Sequence, residues 1–208
     1  MRPGRSPRRR LSSAQRRAEI LTAARELYAD GTYADISVAD IASAAGVSEA
    51  LVYHYFGNKA GVYTEVVMSV TDELVANQVS AVRSMSASTP VQDRIRTYIH
   101  AHLDAIQAFP KAWATPFTGG TEPAAATALR QQLREQYVAA LDVELGDGSS
   151  MARIYALWGF LGFCEYAGVV WVVRGCPPED RELIVTGAIA ALDDSLRAMT
   201  ALEANGEG

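Results

Sequence analysis

The sequence has few of the residues that build redox or metal sites. Its 208 residues include two cysteines, Cys164 and Cys176, and three histidines. The cysteines lack the CxxC spacing of a zinc or redox motif, which predicts free thiols in a reducing cytoplasm. His100 and His102 are two residues apart and point roughly 200° away from each other on a helix, so they cannot share a metal ion. We therefore expect neither a disulfide nor a metal site.

Motifs of the common enzyme classes are also missing. There is no GxSxG, no HExxH, no P-loop and no dinucleotide-binding glycine pattern. Serine, histidine and aspartate residues are present, but they form no constellation that requires catalysis. The sequence therefore predicts a protein that is not an enzyme and needs no cofactor.

Strand-like alternation is absent, whereas apolar residues recur at helical spacing between glycine and proline breakers. Residues 155–173 approach the length of a membrane span. Glu165 lies near their middle, and an ionised carboxylate there would disfavour an isolated span by about 2.5–3.5 kcal/mol. A helix buried in a large interface explains the same composition, with Gly159, Gly162 and Gly168 admitting a neighbouring backbone. We expect an all-α fold of about nine helices and no membrane span.

Positive charge is concentrated at the N-terminus, although the formal net charge is −5. Residues 1–60 carry nine Lys/Arg against six Asp/Glu. The first ten residues contain five arginines, among them Arg8, Arg9 and Arg10, and too few apolar residues to fold. No apolar core of a secretory signal follows them. We interpret residues 1–12 as a disordered basic arm, either a solvated tail or a segment that follows DNA phosphates or enters a minor groove.

Three short helices are marked by candidate N-caps. Ser37 precedes VADIASAA and has an acidic residue three positions on, while Ser48 and Asn58 stand where the next two helices would begin. Gly46 can take the left-handed conformation that ends one helix and turns the chain into the next. This order predicts a helix-turn-helix domain over residues 13–60.

The third predicted helix has two different sides. Its apolar arc on a helical wheel is formed by Leu51, Val52, Tyr55 and Phe56. Its outer face carries Glu49, Ala50, Tyr53 and His54. A small residue between longer polar tips suits a major groove about 12 Å wide, because the backbone can approach while the tips reach phosphates or base edges. The half-buried rim of an ordinary surface helix would also explain these side chains.

From Arg16 to Lys59 the sequence RRAEILTAARELYADGTYADISVADIASAAGVSEALVYHYFGNK resembles, without a gap, the DNA-binding domain of the tetracycline-repressor (TetR-like) family. The resemblance implies a homodimer of nine or ten helices, with a ligand pocket and a dimer interface in the variable C-terminal part. It also implies a set of residues that contact phosphates or bases, namely Ser37, Ser48, Tyr53, His54 and Lys59.

One position departs from the family pattern. Glu49 stands where many members have lysine, arginine or proline. Its carboxylate could accept a hydrogen bond from a cytosine amino group, or it could cap the first turn of its helix. We favour the cap.

Residues 61–208 resemble the family in architecture only. Residues 152–175 and 177–199 look like its last two helices, which pair with their copies in a partner; left alone, they would expose a large apolar patch. Trp113 and Phe117 lie on a segment broken by prolines and glycines, where aromatic residues more plausibly line a cavity than fill a regular core. Other candidates for the ligand pocket are Tyr98, His102, Tyr137 and Phe163, each of which core packing would also explain.

The sequence thus predicts a cytoplasmic homodimeric transcriptional regulator with a DNA-binding domain (13–60) and a ligand-binding and dimerisation domain (61–208). We expect a repressor that a small, largely apolar molecule releases from a pseudo-palindromic operator. The sequence does not distinguish a repressor from an activator. One alternative is a regulator that takes no ligand and responds only to its own concentration. Another is a helical interaction protein that binds no DNA.

Overall fold

The structure is a computed structural model that describes residues 12–146 and 150–206. These residues form nine α-helices and two 3₁₀ helices, with no strand among them, which confirms the all-α prediction. The α-helices are α1 (Ser13–Asp30), α2 (Val38–Ala44), α3 (Glu49–Phe56), α4 (Lys59–Arg83), α5 (Val91–Ala108), α6 (Pro110–Ala114), α7 (Ala124–Glu144), α8 (Met151–Val173) and α9 (Arg181–Gly206). The 3₁₀ helices are Thr115–Phe117 and Pro178–Asp180.

The first helices begin where their caps predict. The side chains of Ser37, Ser48 and Asn58 accept backbone hydrogen bonds at the starts of α2, α3 and α4. Between α2 and α3, Gly46 has a φ of 64°, a left-handed conformation that a residue with a Cβ rarely adopts. The α2–α3 pair is therefore the helix-turn-helix that the sequence predicts.

One hydrophobic core joins α1–α4 to the start of α7. Ile20, Tyr28 and Val52 are fully enclosed in it, and so is Ala126 of α7. The buried residues of α4 in this core continue to Val67. The packing of the N-terminal unit therefore extends past residue 60, into the first two turns of α4.

A second core lies between α5, α8 and α9. Its enclosed side chains include Ile106, Leu157, Trp171, Val185 and Leu192. Side chains from the second half of α7 pack against it. Since the first half of α7 packs on the N-terminal core, this helix connects the two units.

The outward face of α8 is apolar and largely exposed in the described part of the chain. Tyr155 and Tyr166 are each 64% exposed, and Val170 is 59% exposed. Gly159 and Gly162 lie along the same stripe, and a Cβ added to either would meet no atom within 4 Å. In the described part of the chain, α8 is also the one helix that is long and apolar enough to cross a membrane, judged by length and composition alone. Another helix could approach this stripe closely.

Candidate DNA-binding surface and effector cavities

The α3 helix has the inner and outer sides that its sequence predicts. Val52 is fully buried, and the rest of the apolar arc is half-buried. The outer face is exposed and consists of Glu49, Ala50, Tyr53 and His54. Tyr53 is 46% exposed although it is a large aromatic residue. Because these side chains are exposed, they can contact the groove of a DNA duplex.

The first turn of α3 combines a cap with a free carboxylate. The Ser48 hydroxyl accepts a hydrogen bond from the Leu51 backbone N–H at 3.3 Å. Glu49 is the first residue of the helix, and it is exposed. A carboxylate there interacts favourably with the positive end of the helix dipole. The position of Glu49 is compatible with a cap and its exposure with a contact to a base, so its role stays a prediction.

At the start of α2, the Ser37 hydroxyl is already engaged. It accepts from the Asp40 backbone N–H at 3.1 Å and donates to the Asp40 carboxylate. Hydrogen bonds from the Ser37 hydroxyl and backbone hold the pKa of Asp40 below its usual value, and the charge of Lys59 lowers it further. A DNA phosphate would therefore have to compete with Asp40 for this hydroxyl.

Lys59 is the first residue of α4 and faces the loop before α2. Its Nζ lies 4.5 Å from the centroid of the Tyr33 ring and donates to the Ala34 carbonyl oxygen at 3.4 Å. Within residues 13–60 it is the one basic side chain for which the described residues provide no ion pair. The other three are paired as Arg16–Glu19, Arg17–Glu65 and Arg25–Glu73.

The charge balance of the helix-turn-helix unit is acidic. Residues 13–60 carry four Lys/Arg and six Asp/Glu. The excess of positive charge in the first 60 residues therefore belongs to the N-terminal arm, whose Arg8, Arg9 and Arg10 lie outside the described residues. Among the folded residues 13–60, Lys59 is the basic side chain that no carboxylate pairs.

Two cavities of the C-terminal unit share part of their lining. The distal cavity has a volume of about 100 Å³ and is bounded mainly by α5, α7 and α8. The proximal cavity, of about 90 Å³, lies next to the N-terminal core and is bounded by α1, α4 and α5–α8. Side chains of His102, Tyr137 and Leu161 line both cavities and so form the partition between them.

The partition contains one satisfied and one unsatisfied polar side chain. The Tyr137 hydroxyl donates to Gln78 Oε1 at 2.6 Å, and Gln78 Nε2 donates to the Tyr98 carbonyl at 3.2 Å. The His102 Nε2 atom is enclosed and has no hydrogen-bond partner among the described residues. Burial lowers the pKa of His102 to about 4, so its imidazole is uncharged at neutral pH. The partition is thus polar but without charge.

The two arginines that line the proximal cavity are both compensated. Arg134 Nε donates to Glu165 Oε1 at 2.6 Å, and its guanidinium lies 5.4 Å from the Phe117 ring centroid. Arg130 is paired with Glu122 at 3.2 Å. The single carboxylate in the apolar α8 helix therefore has its partner on α7, and neither arginine is free to attract an anion.

Five of the six predicted pocket residues line a cavity. Tyr98 lines the distal cavity, Trp113 and Phe117 the proximal one, and His102 and Tyr137 both. Phe163 lies elsewhere: it is 38% exposed and packs against Gly187 of α9. The helical register of α8 turns Phe163 away from both cavities. The sequence around Phe163 is apolar on all sides of the helix and therefore does not indicate this direction. That these five residues bind a ligand stays a prediction.

Sequence reasoning missed the contribution of the N-terminal helices to the proximal cavity. Tyr28 of α1 and Tyr63 of α4 line it from the side of the DNA-binding unit. Both occupy apolar stripes of their helices, and such stripes indicate burial but not what lies opposite. No local signal could have distinguished a cavity wall from a filled core here.

Solved structures share this architecture. A tetR-family transcriptional regulator from Streptomyces coelicolor superposes with a TM-score of 0.80 at 20% identity, covering 92% of this chain and 85% of that one. The fatty acid degradation regulator FadR from Bacillus halodurans gives a TM-score of 0.67 at 20% identity, covering 88% of this chain and 96% of its own. At these identities the similarity establishes the fold.

The fold and the exposed outer face of α3 define a helix-turn-helix regulator with a helical C-terminal domain. Residues 20–66 match the family of bacterial regulatory proteins described as the tetR family. The chain therefore contains a DNA-binding domain of the tetR family, and its neighbours in sequence and structure are TetR-family transcriptional regulators. Proteins of this family are DNA-binding regulators and not enzymes. Members of this family bind operator DNA as dimers.

Two relatives match along most of the chain. The HTH-type transcriptional activator FasR of Mycolicibacterium smegmatis is 27% identical over 185 residues, which cover 86% of this chain and 82% of FasR. The HTH-type transcriptional regulator BetI of Agrobacterium fabrum is 25% identical over 194 residues, which cover 90% of this chain and 77% of BetI. The similarity therefore includes the C-terminal unit as well as the helix-turn-helix.

Proposed function

We propose that this chain is a cytoplasmic, homodimeric repressor that leaves its operator when a small, largely apolar molecule occupies the cavities beside its DNA-binding unit. The observation that carries the proposal is the position of the proximal cavity. Its wall includes Tyr28 and Tyr63 of the N-terminal core and Trp113 and Phe117 of the C-terminal unit. A molecule bound there would contact both units at once.

The DNA contacts in this proposal come from three places. The outer face of α3 enters the major groove, Lys59 binds a phosphate, and the basic arm adds further phosphate or minor-groove contacts. The full set is Ser37, Ser48, Glu49, Ala50, Tyr53, His54 and Lys59, with Arg8, Arg9 and Arg10 of the arm. Because a homodimer presents two such units related by a twofold axis, we expect a pseudo-palindromic operator with half-sites about 34–36 Å apart.

The contacts of α6 offer a route from the cavity to the DNA-binding unit. Trp113 on α6 lines the proximal cavity. On the same helix, Lys111 Nζ donates to the carbonyl oxygen of Asp30, the last residue of α1, at 2.9 Å. A ligand that moves Trp113 would therefore also move the end of α1. Only a difference in ligand affinity between the two arrangements can change DNA binding.

The space around Trp113 favours a ligand-responsive regulator over one that responds only to its own concentration. A closed core at this position would support the second reading, whereas the structure has a cavity there. Tyr98, His102, Trp113, Phe117 and Tyr137 are the residues that we expect to contact the ligand. Phe163 is not included because of its place against α9.

Selection of bound sequences from a random DNA pool tests the DNA-binding part of the proposal. We expect one enriched pseudo-palindrome whose affinity falls steeply with salt, because neutralised phosphates release counterions. A pool without enrichment would contradict it and would favour a protein-interaction role.

The ligand-responsive part is tested with the selected operator and a library of uncharged apolar compounds. Transcription in vitro from a promoter overlapping the operator should be blocked by the protein and restored by a compound that binds it. Trp113→Ala should weaken binding of that compound while operator affinity without it stays within a few fold. Loss of operator affinity and thermal stability together would show that Trp113 is a core residue.

A further inference from the structure

One residue that lines the proximal cavity, Tyr28, has a buried hydroxyl whose hydrogen bond is unmade. Tyr28 of α1 is 0% exposed, and its hydroxyl has no hydrogen-bond partner among the described residues. Its ring packs edge-on against Tyr63, with ring centroids 5.0 Å apart. The Tyr63 hydroxyl, in contrast, donates to Glu122 Oε2 at 3.3 Å. Of these two phenols lining the cavity, one is satisfied by the fold and the other is not.

A buried hydroxyl without a partner destabilises the protein that contains it, and it gains most from a ligand that supplies an acceptor. Burial raises the pKa of Tyr28, so the phenol stays protonated and acts as a donor. A ligand oxygen beside this hydroxyl would recover the hydrogen bond that folding leaves unmade.

The charges around the cavity argue against an ionised ligand group. Arg130 and Arg134 are paired with Glu122 and Glu165, and the His102 imidazole is neutral. A carboxylate or an ammonium group would enter an apolar space without an available counterion, which is strongly unfavourable. A neutral oxygen carries no such cost.

We propose that the proximal cavity binds an uncharged, mainly apolar molecule or moiety whose carbonyl, ether or hydroxyl oxygen accepts a hydrogen bond from the Tyr28 hydroxyl. This proposal adds the chemical class of the ligand to the proposed function. It rests on the proposed function for one consequence, namely that α1 of the DNA-binding unit contacts the ligand directly. Tyr28 is then the residue that distinguishes an oxygen-bearing effector from a hydrocarbon of the same shape.

The test uses cyclopentanone as the probe, with cyclopentanecarboxylate and cyclopentylammonium as charged probes of similar shape. A five-membered ring is chosen because the cavity, at about 90 Å³, is smaller than an engineered cavity of about 150 Å³ in another protein that holds benzene. Calorimetric titration should show that the ketone binds and that both charged probes bind at least tenfold more weakly. A charged probe that binds as tightly as the ketone, or no ketone binding near its solubility limit, would overturn the proposal.

Tyr28→Phe removes the oxygen and keeps the ring. We expect ketone affinity to fall about three- to tenfold, as for one lost hydrogen bond, with no loss of melting temperature in the unliganded protein. The matched control is Tyr137→Phe, whose hydroxyl already donates to Gln78 Oε1 at 2.6 Å. That variant should lower the melting temperature, since Gln78 loses its donor. Equal ketone affinities of wild type and Tyr28→Phe would refute the role of the hydroxyl.

Infrared spectroscopy of carbonyl-labelled cyclopentanone gives a second readout that a purely structural residue would not move. In the wild-type complex the carbonyl stretch should lie at the lower frequency of a hydrogen-bonded ketone. Tyr28→Phe should return it to the frequency found in an apolar solvent, while Tyr137→Phe leaves it at the wild-type position. If the carbonyl stretch in the wild-type complex lies at the frequency of a ketone without a hydrogen bond, the proposal is wrong. This result does not depend on whether the variant folds.

Operator titrations without any probe separate the two proposals. Wild type and Tyr28→Phe should bind the selected DNA equally, because the hydroxyl lies inside the core. If both proteins bind DNA and also bind the ketone with equal affinity, the proposed hydrogen bond from Tyr28 is wrong and the regulatory function stands. If neither protein binds DNA but the hydrogen bond from Tyr28 to the ketone is observed, the proposed ligand site stands and the proposed regulatory function is wrong.

Discussion

Gly168 is the position at which a single methyl group tests the packing around the proximal cavity. A Cβ added there would lie 2.7 Å from Cη2 of Trp113 and 2.9 Å from Cδ1 of Ile106. Carbon atoms do not approach so closely, so Gly168→Ala must displace one of these side chains. The Trp113 indole borders the proximal cavity, which gives it space to move.

Two effects of Gly168→Ala oppose each other. Alanine stabilises a helix interior by about 1 kcal/mol relative to glycine. An extra methyl group in a packed core destabilises by about 1–3 kcal/mol. Because Trp113 can shift into open space, we expect a net loss of about 1 kcal/mol in the free energy of unfolding. The same shift narrows the cavity and should weaken cyclopentanone binding.

Urea denaturation at several protein concentrations measures the effect, and Gly159→Ala on the same helix is the control. A Cβ at Gly159 meets no atom within 4 Å of its own chain, so a single chain should gain about 1 kcal/mol of stability. A loss in that variant must come from a partner and must depend on concentration, whereas the loss in Gly168→Ala must not. A Gly168→Ala protein that is as stable as wild type and binds cyclopentanone equally would refute this account of the packing.

Three further changes test other parts of the molecule. Lys59→Ala should reduce the slope of log K against log salt by about 0.9 and weaken all DNA sequences alike; an unchanged slope removes Lys59 from the interface. Gly162→Asp adds a carboxylate to the exposed α8 stripe and should yield folded monomers in sedimentation, while an intact dimer would place this glycine off the interface. The free energy of unfolding should fall by about 3 kcal/mol between pH 6.5 and 4 because His102 titrates near 6.5 when unfolded and near 4 when folded. His102→Leu should flatten this part of the pH profile, and identical profiles would contradict it.

The N-terminal unit could be predicted closely because its determinants are local. The caps Ser37 and Ser48 bond to backbone groups three residues away, and the turn at Gly46 requires only that residue's own conformation. The sides of α3 likewise follow from a periodicity within eight residues. Signals of this kind are complete in the sequence of the segment itself.

The C-terminal unit was harder to predict because its contacts join distant segments. Glu165 is conspicuous in the sequence as the one charge within residues 155–173, but its partner Arg134 lies 31 residues away on α7. Gly168 was expected to admit another backbone, and it accommodates the Trp113 ring of its own chain instead. Such pairings depend on how helices cross, which a hydrophobic pattern does not specify.

The charge distribution separates two tasks that DNA binding requires. Attraction to DNA needs positive charge, yet residues 13–60 carry more acidic than basic side chains and three of the four basic ones are ion-paired. Specific contacts need a fixed shape, which the exposed outer face of α3 provides. We therefore expect the basic arm to supply most of the salt-dependent affinity and α3 to supply the discrimination between sequences.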